Sequence, residues 1–307
     1  MTSRILVLHD TPSDFAGLLA ARCAGAVVEY ATSPEQVLPQ LAAVQPTAVL
    51  SIKHSQFPGE AHLPALHFPS VRWFHVGGSG VDHLGTWDPA AVTVTHSAGV
   101  LAPFLAETAV AAMFSLVVGL PRYADQQRAR QWRPHRFRAL AGQTLLIVGV
   151  GSVGGELATR AKALGMRVLG VRTRAAPHPA VDRMVSSADL HAVLPLADVV
   201  SLHMRLDATT TGMFDAAAVR AMKPGALLLN SARGAVLDED ALLAALRSGA
   251  LAGAWLDVFS QEPLPPEHPL WDAPNLLITP HCADQVTDFP RRFAERFCDL
   301  RDQRPPR

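Results

Sequence analysis

The run LLIVGVGSVG, residues 145–154, decides the fold of this chain. Its first four residues are aliphatic, which is typical of a strand buried on both faces of a parallel sheet. They lead into a GxGxxG loop, Gly149 to Gly154, and the apolar residues beyond it recur at helical spacing. A glycine-rich turn arises by chance, but a strand before it and a helix after it are the context of a dinucleotide-binding site.

Each glycine of such a loop has its own physical role. Gly149 permits a tight turn, Gly151 lets the backbone approach a pyrophosphate, and Gly154 lets helix and strand pack closely. The helix that begins near Ser152 and Val153 presents free N–H groups and a partial positive charge to the phosphates. We therefore predict that the loop binds a dinucleotide and is more than a structural turn.

The residues after the next predicted strand, Arg167–Val171, indicate which dinucleotide is bound. An NAD-binding fold places a carboxylate about 20 residues after the glycine loop, where it binds the ribose 2′-hydroxyl. This chain has Arg172, Thr173 and Arg174 there. Because guanidinium groups bind phosphate bidentately, we predict NADP(H) in preference to NAD(H). The alternative is that these are solvated surface arginines in an arginine-rich chain.

Short runs of valine, isoleucine and leucine alternate with longer alanine- and leucine-rich segments along the whole chain. This alternation is typical of βαβ units that form a parallel sheet with helices on both faces. The predicted strands are Ile5–Leu8, Ala26–Tyr30, Ala48–Ile52, Val71–Val76, Val92–Thr95, Thr144–Val148, Arg167–Val171, Val199–His203, Ala226–Asn230, Gly253–Val258 and Leu276–Thr279. They fall into two series, so we predict an α/β protein with two doubly wound parallel-sheet domains.

The composition excludes several classes of protein. Lys+Arg and Asp+Glu are both 27, and this zero net charge argues against a nucleic-acid binder with a basic face. The longest apolar stretch, about residues 109–120, is too short to span a membrane. Cys23, Cys282 and Cys298 show no CxxC or metal-ligand spacing, so we expect no metal site and a reducing, cytoplasmic environment.

Three polar side chains that follow predicted strands point to catalysis. Arg233, Glu262 and His281 come after three consecutive strands of the second series. Open α/β sheets bind ligands at the carboxyl ends of their strands, so we expect these side chains near a ligand.

On the glycine loop and these three residues the chain resembles the D-isomer-specific 2-hydroxyacid dehydrogenase family, which implies reduction of a 2-keto acid. Such a reduction needs a hydride donor, a proton donor and a group that holds the carboxylate. His281 is the candidate general acid/base because imidazole titrates near neutrality. A neighbouring Glu262 favours the imidazolium and fixes the ring orientation. Arg233 is suited to bind the substrate carboxylate and polarise the keto oxygen.

The resemblance covers essentially the whole length of the chain and is most specific over residues 149–281. The Arg172-Thr173-Arg174 segment is similar to the glyoxylate/hydroxypyruvate reductase branch. The resemblance implies an NAD(P)-dependent enzyme, which the arginines after the second strand of the second series make NADPH-preferring and the cysteine usage places in the cytoplasm. Its substrates would be small 2-keto acids, first glyoxylate and hydroxypyruvate, which it reduces to D-2-hydroxy acids.

The resemblance also implies further site residues. Asp257 would hold the nicotinamide carboxamide, and Ala232 would contact the cofactor. Gly78, Ser79 and Gly80 would supply backbone N–H donors to the substrate carboxylate, as loops that follow a strand can do for anions.

The resemblance sets the domain bounds as well. A Rossmann dinucleotide-binding domain, residues 99–283, would be inserted in a flavodoxin-like substrate domain, residues 1–98 plus 284–307. A helical segment of about residues 104–140 is similar to the family's dimerisation arm and implies a homodimer.

Two alternatives remain open. A dinucleotide-sensing corepressor on the same scaffold can retain Arg233, Glu262 and His281, although this chain has no basic run to face DNA. A relative that oxidises another small anion, such as phosphite, is the second.

Overall fold

The computed structural model describes residues 3–54 and 57–303. The chain forms two compact units: one comprises the chain up to Leu101 together with the chain from Val286 onward, and the other comprises Ala102–Gln285. Each described unit is built on a parallel sheet, which confirms the predicted fold class.

The strands and helices alternate along most of the chain. The strands are β1 Arg4–Leu8, β2 Val27–Ala31, β3 Ala48–Ser51, β4 Trp73–Val76, β5 Thr93–His96, β6 Thr144–Val148, β7 Arg167–Arg172, β8 Arg183–Ser186, β9 Val199–Leu202, β10 Ala226–Asn230, β11 Leu251–Leu256 and β12 Leu276–Ile278. The α-helices are α1 Ser13–Arg22, α2 Val37–Val44, α3 Leu63–Leu66, α4 Ala102–Val118, α5 Leu120–Arg128, α6 Ser152–Ala163, α7 Leu190–Val193, α8 Ala216–Ala221, α9 Glu239–Arg247 and α10 Phe289–Gln303.

The first unit has a five-stranded sheet in the order β2-β1-β3-β4-β5. This is the flavodoxin-like order, in which strands are added on one side of β1 first and on the other side from β3 onward. The C-terminal helix α10 packs against α1 in this unit. Its Phe289, Phe293 and Phe297 are buried, as their helical spacing predicts.

The second unit has a seven-stranded sheet in the order β12-β11-β10-β9-β6-β7-β8. Counted from β6, this is the dinucleotide-binding order 3-2-1-4-5-6 with one further strand, β12. The glycine loop leaves β6 beside β9, where the strand order reverses, and ligands of such sheets bind at this point.

The aliphatic run of β6 fills the core on both faces of this sheet. Leu146 and Val148 belong to one buried apolar cluster, and Leu145 and Ile147 belong to another. Successive side chains of a strand point to opposite faces, so the run can be apolar throughout only because both faces are covered.

Strand β8 was missed by the sequence prediction. Its sequence, RMVS, begins with an exposed arginine, and only Val185 is fully buried. The strand lies at the edge of the sheet. An edge position needs no continuous apolar run, so the usual signal for a strand is absent.

The predicted helical segment of about residues 104–140 is wrong beyond Arg128. Gly119, with φ of 75°, separates α4 from α5, and the two helices meet at 60°. Residues 131–139 have no regular secondary structure, after a left-handed Arg130 and around Pro134. Among the described residues no single helix is long and apolar enough to cross a membrane; α4 and α5 reach that length only as a bent pair.

Candidate active site

The glycine loop admits no side chain at two of its glycines. A Cβ at Gly149, where φ is 99°, would lie 2.6 Å from the backbone carbon of His203, and one at Gly154 would lie 2.4 Å from the Gly149 carbonyl oxygen. A Cβ at Gly151, in contrast, meets nothing within 4 Å. Internal packing therefore requires the outer glycines, whereas the middle one leaves the backbone open to a ligand.

Helix α6 begins directly at this loop. Gly151 is its N-cap residue and contributes no side-chain hydrogen bond, and Ser152 and Val153 are the first helical residues. The N–H groups of a first helical turn have no partners within the helix and carry a partial positive charge. The loop and the helix start thus fit the pyrophosphate of a dinucleotide.

Arg172, Thr173 and Arg174 lie at the carboxyl end of β7, beside this loop. Arg172 is half-buried, and its Nε donates a hydrogen bond to the carbonyl oxygen of Val150. Its guanidinium is therefore anchored against the glycine loop. Thr173 and Arg174 are exposed.

The turn that carries Arg233 is held by Asn230, a fully buried residue at the end of β10. The Asn230 Oδ1 accepts from the Ala232 N–H at 3.0 Å, and its Nδ2 donates to the Arg233 carbonyl at 3.1 Å. A Cβ at Gly234 would lie 1.9 Å from the carbonyl carbon of Phe259. Only glycine lets the Arg233 turn lie against the segment that follows β11.

Glu262 lies in that segment and pairs with His281. The Nδ1 of His281 donates to Glu262 Oε2 at 2.7 Å, while Oε1 accepts from the Phe259 N–H at 2.9 Å. The two side chains are 38% and 35% exposed, so a ligand can reach them. Because Nδ1 is engaged, Nε2 is the ring nitrogen that can exchange a proton with a ligand.

Asp257, at the end of β11, is buried and organises the loop after β12. Its Oδ1 accepts from the Thr279 hydroxyl at 2.6 Å and from the Cys282 N–H at 3.0 Å, and its Oδ2 accepts from the Ala283 N–H at 3.1 Å. Burial raises the pKa of Asp257, and these three hydrogen bonds oppose that rise. The contact with a nicotinamide carboxamide stays a prediction.

This network fixes the backbone of His281. The His281 N–H donates to the Asp257 carbonyl at 2.8 Å, and the indole of buried Trp255 donates to the Thr279 hydroxyl at 2.9 Å. His281 has φ of 49°, an uncommon value outside glycine that surrounding contacts must hold. The sequence prediction missed this role; an aspartate and a threonine ending adjacent strands are the signal for it.

Arg233, Glu262 and His281 are thus brought to one edge of one sheet, after the neighbouring strands β10, β11 and β12. Within the described residues, no group of three or more His, Cys, Asp or Glu side chains is arranged to hold a metal ion.

The predicted substrate loop belongs to the other unit, where it follows β4. A Cβ at Gly77 would lie 2.8 Å from Ile52 and 2.9 Å from Phe293, so this glycine is required by packing. Gly78 has φ of 151°, and its carbonyl accepts from the Ser97 N–H. Ser79 is exposed.

The chain is similar to known proteins over most of its length. The family model for the D-isomer specific 2-hydroxyacid dehydrogenase, NAD binding domain, matches residues 110–283. A glyoxylate reductase of Korarchaeum cryptofilum (strain OPF8) is 37% identical over 258 residues, which cover 82% of this chain and 77% of that protein.

Solved structures show the same similarity. A D-isomer specific 2-hydroxyacid dehydrogenase family protein from Aeromonas salmonicida subsp. salmonicida A449 has a TM-score of 0.87 and 31% identity, covering 99% of this chain and 97% of that one. The D-isomer specific 2-hydroxyacid dehydrogenase from Xanthobacter autotrophicus Py2, solved with NADPH and MES, has a TM-score of 0.80 and 28% identity, covering 98% and 95%.

Proposed function

The chain belongs to the D-isomer specific 2-hydroxyacid dehydrogenase family, and we propose that it reduces small 2-keto acids to D-2-hydroxy acids with NADPH as its preferred reductant. Family and enzyme class agree with the sequence prediction. Glyoxylate and hydroxypyruvate are the proposed substrates, supported by similarity to a glyoxylate reductase. The observation that carries the proposal is the 2.7 Å pair of His281 and Glu262 on the sheet edge that also bears Arg233.

His281 is the proposed proton donor. When bound, the nicotinamide supplies a hydride for the keto carbon. The Nε2 of a protonated His281 gives its proton to the oxygen as negative charge develops there. Glu262 stabilises the imidazolium and keeps Nε2 turned toward the reacting oxygen. In the oxidative direction the neutral imidazole takes the proton back.

Arg233 is proposed to bind the substrate carboxylate and to polarise the keto oxygen. Its turn is fixed by Asn230 and Gly234, so the guanidinium starts from a defined backbone position. A fixed cation stabilises developing negative charge without first reorganising. We also propose that Gly78, Ser79 and Gly80 donate backbone N–H groups to the carboxylate.

The preference for NADPH rests on Arg172 and Arg174. Their place after β7 is where an NAD-binding fold puts a carboxylate for the ribose 2′-hydroxyl. The anchoring of Arg172 on the Val150 carbonyl holds one guanidinium beside the loop at low entropic cost. Thr173 adds a hydroxyl between the two cations, and a relative of known structure was solved with NADPH. Ala232 and Asp257 are the further cofactor contacts that we propose.

A substrate panel tests the activity. Purified enzyme is given NADPH with glyoxylate, hydroxypyruvate, pyruvate or phenylpyruvate, and loss of nicotinamide absorbance is followed. We expect the fastest turnover with glyoxylate and hydroxypyruvate. If NADPH binds by fluorescence titration but none of the acids is reduced, the reductase proposal is wrong and a dinucleotide sensor becomes the better account.

We further propose that the enzyme is a cytoplasmic homodimer. The segment around α5 exposes large apolar side chains, with Trp132 98%, Phe137 54% and Leu120 51% exposed. Exposed apolar groups clustered in sequence are typical of a surface that meets another protein, and a second copy of this chain is the occupant we propose.

A further inference from the structure

Two cysteines far apart in sequence meet inside the first unit. Cys23 follows the last residue of α1, and Cys298 lies in α10, 275 residues later. Their sulfur atoms are 4.0 Å apart, and the residues are 1% and 0% exposed. A disulfide needs about 2.05 Å between the sulfurs, so a modest side-chain rotation separates this contact from a bond.

The ends of the two helices are held together around this pair. Arg22 forms ion pairs with Asp299 at 3.0 Å and with Asp302 at 2.7 Å. Arg301 Nη1 donates to the Arg22 carbonyl at 3.1 Å. These contacts hold the end of α1 against α10, so that the two cysteines stay adjacent, and they place the Arg301 guanidinium near Cys23.

The two thiols have different electrostatic surroundings. The Cys298 thiol, by hydrogen bonding, and the nearby Arg301 lower the pKa of Cys23, while burial opposes them. The same hydrogen bond, together with burial, raises the pKa of Cys298. The thiolate is the nucleophilic form of cysteine, and Cys23 is the thiol that has the Arg301 guanidinium beside it, so Cys23 is disposed to react first.

A cavity at the surface of the first unit has Cys23 in its wall. It has a volume of about 550 Å³ and lies between α1 and the edge strand β2. Its walls consist mainly of small residues, including Ala16, Gly17, Ala20 and Ala24, together with Tyr30 and Cys23 itself. Such a space is large enough to admit hydrogen peroxide to the wall that Cys23 forms, so a small opening of that wall would expose the thiol.

We propose that Cys23 and Cys298 form a peroxide-reactive thiol pair that closes to a disulfide between the end of α1 and α10. The Cys23 sulfur attacks one peroxide oxygen, the O–O bond breaks, and the leaving hydroxide takes a proton to give water and a sulfenic acid. Cys298 then attacks the Cys23 sulfur, the S–O bond breaks, and a second water leaves. Two thiols and one peroxide thus give one disulfide and two waters.

The disulfide would join the first helix to the last. It would close a covalent loop that contains the whole Ala102–Gln285 unit. This inference does not depend on the proposed reductase activity, because neither cysteine lies at the site of that reaction. A buried cysteine also serves as a small apolar residue, and the experiment separates that role from reactivity.

The test is a thiol count on the reduced wild-type protein before and after hydrogen peroxide, measured after denaturation. The chain has 3 cysteines, so we expect three titratable thiols before treatment, one after it, and a mass loss of two hydrogen atoms. Trypsin leaves the three cysteines on the separate peptides 23–53, 248–291 and 297–301. The first and last should be linked, and Cys282 should remain free.

Single variants provide matched controls. Cys282→Ser should still lose two thiols and form the same linked peptides, whereas Cys298→Ser and Cys23→Ser should form no intramolecular link. Three free thiols after treatment would overturn the proposal. So would oxidation of Cys282 in place of the pair, or sulfinic acid at Cys23 without linkage. If a variant does not fold, the linked peptides of the wild-type protein decide the question alone.

Discussion

His281 owes its place to two carboxylates that act at different points. Glu262 holds the imidazole ring through Nδ1. Asp257 holds the loop around the histidine, through the Thr279 hydroxyl on one side and the Cys282 and Ala283 N–H groups on the other. The ring orientation and the loop geometry are thus set separately. Substitutions of Glu262 and of Asp257 should therefore have different effects, the first on the orientation of the ring and the second on the stability of the loop.

Replacing His281 with alanine tests the proton donor. General acid catalysis contributes about 10²–10⁴-fold to a rate, so His281→Ala should lower kcat for keto-acid reduction by that factor with little change in NADPH affinity. Steady-state kinetics and fluorescence titration measure the two quantities. His191→Ala, which removes an exposed histidine of α7, is the control and should leave both unchanged. Near-normal turnover of His281→Ala would contradict the assignment.

Replacing Asp257 with asparagine tests the positioning role. The amide NH₂ would face the Ala283 N–H, so one buried hydrogen bond is lost and two donors oppose each other. An unsatisfied buried group costs about 1–3 kcal/mol, and Asp257→Asn should lose that much unfolding free energy in urea. Asp272→Asn, at an exposed aspartate, should unfold like the wild-type protein. Equal stability of the two variants would show that Asp257 does not organise the loop.

In the β6–loop–α6 unit, one glycine is needed for packing and another for ligand binding. Gly154 is required by the fold because its Cβ position is 2.4 Å from a carbonyl oxygen, whereas Gly151 faces open space. The two glycines look equivalent in the GxGxxG motif. The structure distinguishes them.

A pair of alanine substitutions exploits this difference. Gly154→Ala should lower the unfolding free energy by about 1–3 kcal/mol, the usual cost of overpacking. Gly151→Ala should lower that free energy by less, since it costs only the preference of the N-cap for glycine over alanine, and it should weaken NADPH binding because the methyl group would occupy the approach to the pyrophosphate. Urea denaturation measures the stability of both variants, and fluorescence titration measures their NADPH affinity. A larger loss of stability in Gly151→Ala than in Gly154→Ala would contradict this division.

The elements that were predicted correctly from the sequence are those in which residue type, spacing and turn residues all indicate the same structure. For β6 and α6, the aliphatic run, the glycines and the helical spacing all indicate one structure. Strand β8 lacked a signal because an edge strand needs little apolar surface. The segment after Arg128 was wrongly predicted as helix. Its Trp132 and its arginines are exposed, so no buried face distinguishes a helix from an irregular segment there.

For the whole molecule, the amino-acid composition argued against a nucleic-acid binder and a membrane protein, but it did not indicate where the active site lies. The zero net charge says nothing about Arg172, Arg174 and Arg233, whose roles depend on which strand ends they follow. The Asp257 network and the contact of Cys23 with Cys298 join distant residues. Only the folded chain brings them together, so no local pattern predicts them.

The proposed homodimer makes a prediction for the exposed arm. Trp132→Ala should shift the molar mass in light scattering toward that of a monomer at low protein concentration, because it removes the most exposed large apolar side chain. Trp271→Ala, at a tryptophan that is 50% exposed outside the arm, should leave the mass unchanged. A wild-type protein that is monomeric at all concentrations would contradict the dimer.

The ratio of kcat/KM for glyoxylate reduction with NADPH to that with NADH tests whether this enzyme is an NADPH-preferring reductase of small 2-keto acids. We expect reduction with both nucleotides or with NADPH alone, a higher kcat/KM with NADPH, and loss of that difference in an Arg172→Ala, Arg174→Ala double variant. Arg167→Ala, at the opposite end of β7, should keep it. Equal efficiency of the two nucleotides with the wild-type enzyme would contradict the cofactor assignment, and no reduction with either would contradict the reductase itself.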